Sequence, residues 1–255
     1  MSEVSDLYYC CGISDKGAVR ENNEDAYLVN KIVLSKAQME SDVNAPFIAA
    51  VADGVGGEAS GEIASHMALD LLSAVRPRKS TDFRAKLLAI HSKLKRYGIT
   101  HGSSANMQTT LCALAVDENG KAYVINVGDS RMYRFRGGVI KQLSTDQSLV
   151  QMLFDQGKIT GEEKKTHAQR NVIFPVLGNI ADDPDPSVTE IEGGIKKGDI
   201  IIICSDGLSD YITTGEFEEI LAMPMRLPKR LRCLIDAAMD NGSTDNITVV
   251  GVSVR

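Results

Sequence analysis

The chain has 255 residues, 43% hydrophobic and 24% charged, which excludes a disordered tail, a collagen repeat or a coiled coil and suits one large sheet-based domain. Twenty-eight Lys and Arg against 34 Asp and Glu leave a formal charge of −6, a poor match to nucleic acid. No apolar run would span a bilayer, the opening MSEVSDLYYCC lacks signal-peptide order, and the five cysteines show no C-x-x-C spacing, so a cytoplasmic chain with reduced thiols and no membrane partner is expected.

From the N-terminus, DLYYCCGI (6–13) and EDAYLVNKIV (24–33) read as strands. Residues 34–46 read as a polar loop ending at Pro46, and FIAAVA (47–52) as a buried strand with a Gly-rich stop. Residues 58–75 place Ile63, Met67, Leu71 and Leu72 at helical spacing, and 82–97 form a second amphipathic helix capped by Asp82. After the polar GSSANMQ (102–108) come four predicted strands, TTLCALAVD, KAYVINVGD, SRMYRFRG and VIKQLS. Residues 147–157 and 160–168 read as helices, and 169–194 as irregular. KKGDIIIICSDG is a buried strand, 214–222 and 228–241 are helical, and NITVVGVSV closes the chain as a strand. Regular βαβ alternation is absent. The order predicts a single α+β domain over 1–255, an antiparallel β-sandwich flanked by helices.

FIAAVADG and IIIICSDG echo each other: each buries a strand and presents one carboxylate at its exit. Carboxylates recur at such ends, beside Gly or Asn, as Glu24–Asp25, Asp53–Gly54, Asp129, Asp206–Gly207 and Asp245–Asn246. A lone Asp-Gly is ordinarily a turn. A convergent set is an oxygen-rich pocket for hard cations such as Mg²⁺ or Mn²⁺, because several carboxylates do not crowd together ionised without cations.

Six stretches carry a resemblance: SDKGAVRENNED (14–25), ADGVGG (52–57), VGDSR (127–131), TDQSLV (145–150), CSDGLSD (204–210) and TDNIT (244–248). In this order and spacing the chain resembles the PPM, or PP2C-type, metal-dependent serine/threonine phosphatases, most closely their compact bacterial members. The resemblance implies a four-layer αββα sandwich with a binuclear Mn²⁺ or Mg²⁺ site at one end. It implies hydrolysis of phosphoserine and phosphothreonine in proteins by a metal-bridging hydroxide, opposing a Ser/Thr kinase. By motif position Asp53 bridges the metals, Gly54 offers its carbonyl, Asp206 and Asp245 hold one ion and Glu24 the other. Asp25 orients this shell, Asp129 belongs with Asp206 to a third, weaker site, and Arg20 binds the substrate phosphate. Asp53 and Asp206 are thereby catalytic together with Arg20. A monomer is the default expectation.

Departures from the family pattern narrow the mechanism. Val55 stands where many eukaryotic members have a His proposed as general acid. His167, in THAQRN, resembles the family's H-P-x-R-N stretch and is a candidate acid or substrate contact, with an exposed capping role as the plain alternative. Phe174-Pro175-Val176-Leu177-Gly178 replaces a Thr-Arg-Ala-Leu-Gly pattern. Residues 147–178 would be the flap beside the site.

Other chemistries fit less well. No Cys begins a C-x5-R motif, and four histidines are too few for a His-rich phosphoesterase. Gly54-Val-Gly56-Gly-Glu-Ala59 matches a dinucleotide fingerprint, but no acidic strand end follows about 20 residues on. A catalytically weak metal-binding scaffold on the same fold is the remaining alternative. The basic clusters at 76–96 and 226–232 read as solvated helix faces.

Overall fold

Side-chain alternation builds three apolar layers. In β5 (Phe47–Val55), Phe47, Ala49 and Val51 enter one cluster while Ile48, Ala50 and Ala52 enter another. β2 (Asp25–Val29) and β7 (Leu111–Val116) are likewise buried on both faces. Strands of this kind need cover on each side, which a sheet partner and a helix pair provide. The computed structural model describes residues 7–56, 59–101 and 107–255. Asp6, Gly57, Glu58 and the 102–106 part of GSSANMQ lie outside the described residues.

One sheet runs in the order β10 (Val139–Gln142), β9 (Arg131–Arg136), β12 (Ile200–Cys204), β13 (Ile247–Val254), β1 (Leu7–Asp15) and β4 (Gln38–Asn44). The other runs β11 (Ser187–Glu190), β8 (Ala122–Val127), β7, β5, β2 and β3 (Ile32–Leu34), with β6 (Gln108–Thr109) paired to the end of β5. Every pairing is antiparallel, including both neighbours of β5, and this removes the dinucleotide-binding reading. Helices α1 (Ala59–Ser73) and α2 (Phe83–Thr100) cover the second sheet. On the first sheet lie α5 (Asp206–Ser209), α6 (Thr214–Ala222) and α7 (Leu227–Asp240). The predicted αββα sandwich is therefore present, and Asp82 caps α2 by accepting from the Ala85 N–H.

The polar loop expected at 34–46 contains an edge strand. β4 pairs with β1 along Leu7–Ile13, and only Val43 of its seven side chains is buried. β11, inside the stretch expected to be irregular, is exposed at all four positions. Both are held by backbone ladders at sheet edges, so neither shows the burial periodicity from which strands are read. Two further elements, α3 (Leu149–Asp155) and α4 (Gly161–Thr166), form the excursion between β10 and β11.

Candidate active site

The strand-end acids meet because apolar strands stop at the same end of the sandwich. Asp25 opens β2, Asp53 lies near the end of β5, and they are direct cross-strand partners. Alternation places both in the row that faces the other sheet, below Tyr27 and Val51. From that other sheet, β12 runs out through Ser205 into Asp206, and β13 begins just after Asp245 and Asn246. Asp129 sits on the turn between β8 and β9.

Hydroxyls and amides fix these ends. Ser205 Oγ donates to Asp25 Oδ2 at 2.7 Å and accepts from the Thr248 N–H at 3.0 Å. Ser14 and Thr248 share a hydroxyl hydrogen bond of 2.7 Å, and Asn23 Nδ2 donates to Ser14 Oγ. Asn246 accepts from the Glu24 N–H at 2.8 Å and donates to the carbonyls of Lys16 and Asn22, pinning the loop that bears Arg20. The Asp53 backbone is gripped on both sides by Thr110, through its N–H and its Oγ1. A Cβ on Gly54 would lie 2.3 Å from the Gly61 carbonyl oxygen, and one on Gly61 would lie 2.5 Å from Glu24 Oε2. Only glycines let α1 press against the end of β5 here.

Arg20 stands at the mouth, about half exposed, with Nη2 2.7 Å from Asp245 Oδ2. Behind it the carboxylates hold their protons tightly. Burial, then repulsion from Asp25, Asp206, Asp245 and Asp129, pushes Asp53 well above the usual carboxylate range. Burial raises Asp25 to about 7, against hydrogen bonds from Ser205 and Thr248. Burial with Asp206 and Asp146 raises Asp129 to about 8, and burial with Asp210 and Asp245 raises Asp206 to about 6. Glu24 is raised by burial, with Arg20 opposing.

Among the described residues no three acid, histidine or cysteine side chains are already drawn into a closed chelate. The donor set nevertheless suits hard cations. It is all carboxylate, its members raise one another's pKa, and Oδ1 of Asp25 and Oδ1 of Asp206 are buried without a hydrogen-bond partner. Buried carboxylate oxygens are rarely left unpaired, and a cation is the partner that would satisfy several at once.

Beside this end lies a cleft of about 470 Å³ between α4 and the start of α6, reaching Asp129. Its middle is an ion network: Arg131 to Asp146 at 2.8 Å, Arg131 to Asp210 at 2.9 Å and Lys164 to Asp146 at 3.3 Å. Segment 147–178 leaves the sandwich on a narrow neck, where Phe174 N–H donates to the Gln147 carbonyl and Leu149 N–H to the Val172 carbonyl. Gln147 also joins the neck to the Asp129 turn, its Oε1 accepting from the Gly128 N–H at 2.9 Å.

Arg20, Glu24, Asp25, Asp53, Gly54, Asp129, Asp206 and Asp245 thus gather at one end of the sandwich. His167 does not join them. It follows α4, its Nδ1 accepts from the Gln169 N–H at 3.1 Å, and it does not line the cleft, which is the plain capping alternative. Ser205, Thr248, Thr110 and Gln147 escaped the sequence reading as positioning residues. Ser205 had a signal: in a strand whose Ile201 and Ile203 face the other sheet, the next residue of that parity is Ser205.

A family model described as protein phosphatase 2C matches residues 21–238. The chain belongs to the protein phosphatase 2C family. It is 33% identical over 259 residues to the serine/threonine protein phosphatase PstP of Mycobacterium tuberculosis, covering 100% of this chain and 46% of that protein, about half its length. It is 31% identical over 246 residues to the serine/threonine phosphatase Stp of Listeria monocytogenes, covering 93% and 92% of the two chains. The crystal structure of the PstP phosphatase superposes with a TM-score of 0.79 at 31% identity, over 98% of this chain and 99% of that one. A structure of the PstP catalytic domain in complex with two manganese ions gives a TM-score of 0.74 at 30% identity, over 97% and 99%. The two PstP structures share the α+β sandwich of this chain.

Proposed function

We propose that this chain is a metal-dependent protein phosphatase that hydrolyses phosphoserine and phosphothreonine in proteins, reversing the action of a Ser/Thr kinase. The observation that carries this reading is the Asp25–Asp53 pair facing Asp206, with two buried carboxylate oxygens unpartnered and Arg20 at the mouth. Glu24, Asp53, the Gly54 carbonyl, Asp206 and Asp245 would hold two Mn²⁺ or Mg²⁺ ions, with Asp25 orienting them and Asp129 serving a third. When bound, the cations acidify water to supply a nucleophile and offset the charge of the phosphoryl group.

The chain's own residues do the rest. Arg20 presents a planar fork to the phosphate dianion, exchanging Asp245 for phosphate oxygens. Ser205 and Thr248 hold Asp25, and Thr110 holds the Asp53 backbone, so these carboxylates are placed before substrate arrives. The cleft at Asp129 gives the flanking peptide a place to lie. The same reading makes the enzyme a monomer acting on cytoplasmic phosphoproteins. No helix among the described residues is long and apolar enough to cross a membrane. A non-catalytic scaffold is disfavoured, since the carboxylate set and Arg20 are intact.

Hydrolysis of p-nitrophenyl phosphate and of a phosphothreonine peptide, assayed with Mn²⁺, Mg²⁺ or EDTA, tests the proposal. Turnover that requires Mn²⁺ or Mg²⁺ is expected. Folded protein without turnover under any of these metals would refute it.

A further inference from the structure

The cleft beside Asp129 carries a charge pattern that the hydrolytic residues do not use. Its centre is balanced, with Arg131 and Lys164 set against Asp146 and Asp210, two cations against two carboxylates. Asp146 is almost wholly buried beneath them, and both cations are engaged in compensating its buried charge. Asp129 stands at the end nearest the other acids. From the 147–178 segment, Lys165 and Arg170 line the same cavity.

These two cations are available. The carboxylate that meets Lys165 is Glu162, three residues back on α4, at 3.0 Å with the two side chains 71% and 87% exposed. Such a pair is worth little and exchanges readily. Arg170 is exposed and makes no ion pair with any carboxylate among the described residues. The same lining includes an apolar strip of Tyr211, Ile212 and Phe217. A peptide whose phosphorylated residue sits at Arg20 and Asp53 would lay its neighbours along this strip toward Lys165 and Arg170.

We propose that the flap end of the cleft is a subsite for an anionic group flanking the scissile phosphate, an aspartate or glutamate carboxylate or a second phosphate, so that acidic segments are preferred substrates. The inference rests on the phosphatase reading above. A carboxylate or phosphate can take both cations at once, Arg170 as a fork and Lys165 as a point charge. A basic flank would meet them with repulsion, which adds to selectivity.

The test uses four phosphothreonine peptides that differ only in their flanks: Ala, Glu, Lys, or a second phosphothreonine. Each is assayed with Mn²⁺ at low salt and at about 0.5 M salt, where the Debye length falls to about 4 Å. For the wild type, the Glu and doubly phosphorylated peptides should exceed the Ala peptide about fivefold in kcat/KM, mostly through KM, with the Lys peptide below it. The spread should shrink at high salt. In Lys165→Glu/Arg170→Glu the order of the Glu and Lys peptides should invert, and Lys165→Gln alone should narrow the spread. A gain shared by Glu and the second phosphate supports a general anion subsite, and a gain confined to the second phosphate narrows the ligand to phosphate. Equal kcat/KM for all four, or an order unchanged in variants whose circular dichroism matches the wild type, overturns the proposal. Turnover of p-nitrophenyl phosphate by the wild type separates the two levels: with it, flat peptide data sink only the subsite, and without it the phosphatase reading falls first.

Discussion

Two walls, the acid-bearing end of the sandwich and the flap beside it, are built by different means. The sandwich wall holds Asp25 and Asp53 on laddered strands and Asp206 just past the end of β12, with buried hydroxyls of Ser205 on the Asp25 side chain and of Thr110 on the Asp53 backbone. The flap wall, 147–178, buries only Val150 from its helix α3 and nothing from α4. It is held by the Lys164–Asp146 ion pair and by a neck of a few backbone hydrogen bonds. Groups that must be placed to within tenths of an ångström sit on the first wall, and the helices of the second, with a single buried side chain between them, are where local opening is easiest. The difference teaches where mutations should abolish chemistry and where they should only retune recognition.

The contrast can be broken first on the sandwich wall. Asp53→Ala or Asp206→Ala should lower phosphatase kcat by about a thousandfold or more with the fold retained, checked by metal-dependent turnover alongside circular dichroism. A residual rate within tenfold of wild type would remove these residues from the site. Asp146→Ala, beneath the flap wall, should instead cost about 3–5 kcal/mol of stability, because it leaves the Arg131 guanidinium without its buried partner. Urea melts would measure that loss.

Smaller effects sharpen the comparison. Ser205→Ala removes the donor to Asp25 Oδ2, and Mn²⁺ affinity by calorimetry should fall about 10–100-fold, as when the support of a metal ligand is lost. Lys164→Met frees α4 from Asp146, a largely buried tie, and should change KM for phosphopeptides more than kcat. Proton linkage gives a further check. Asp25 at about 7, Asp129 at about 8 and Asp206 at about 6 lie above their unfolded values. The folded chain therefore binds more protons than the unfolded one between about pH 4 and 8, and stability falls as pH rises through that window. In EDTA the Tm should drop from pH 5 to pH 8, and a Tm that rises over this range would contradict the crowded-carboxylate picture.

The same contrast explains what the sequence revealed. The strand-end acids were legible because long apolar runs, FIAAVA and IIIIC, each stop at Asp-Gly, so burial and chemistry share one signal. The six motifs then located Arg20, Glu24 and Asp245, which no periodicity would single out. β4 and β11 were hidden because edge strands are exposed on the faces that periodicity measures. The Arg131–Asp146–Lys164 network was hidden because it joins three separate elements through side chains whose partners only the tertiary fold brings together. His167 is the opposite case: a motif likeness suggested an acid or substrate contact, and in the structure its Nδ1 accepts from the Gln169 N–H after α4.

Calorimetric titration of Mn²⁺ into the metal-free protein at pH 7, run in two buffers of different ionisation enthalpy, tests the central claim most directly. The convergent carboxylates should bind at least two ions in the wild type and release protons as they do, because they hold protons near neutrality. Asp53→Asn should lose that stoichiometry. Equal binding by wild type and Asp53→Asn, or binding without proton release, would contradict the account.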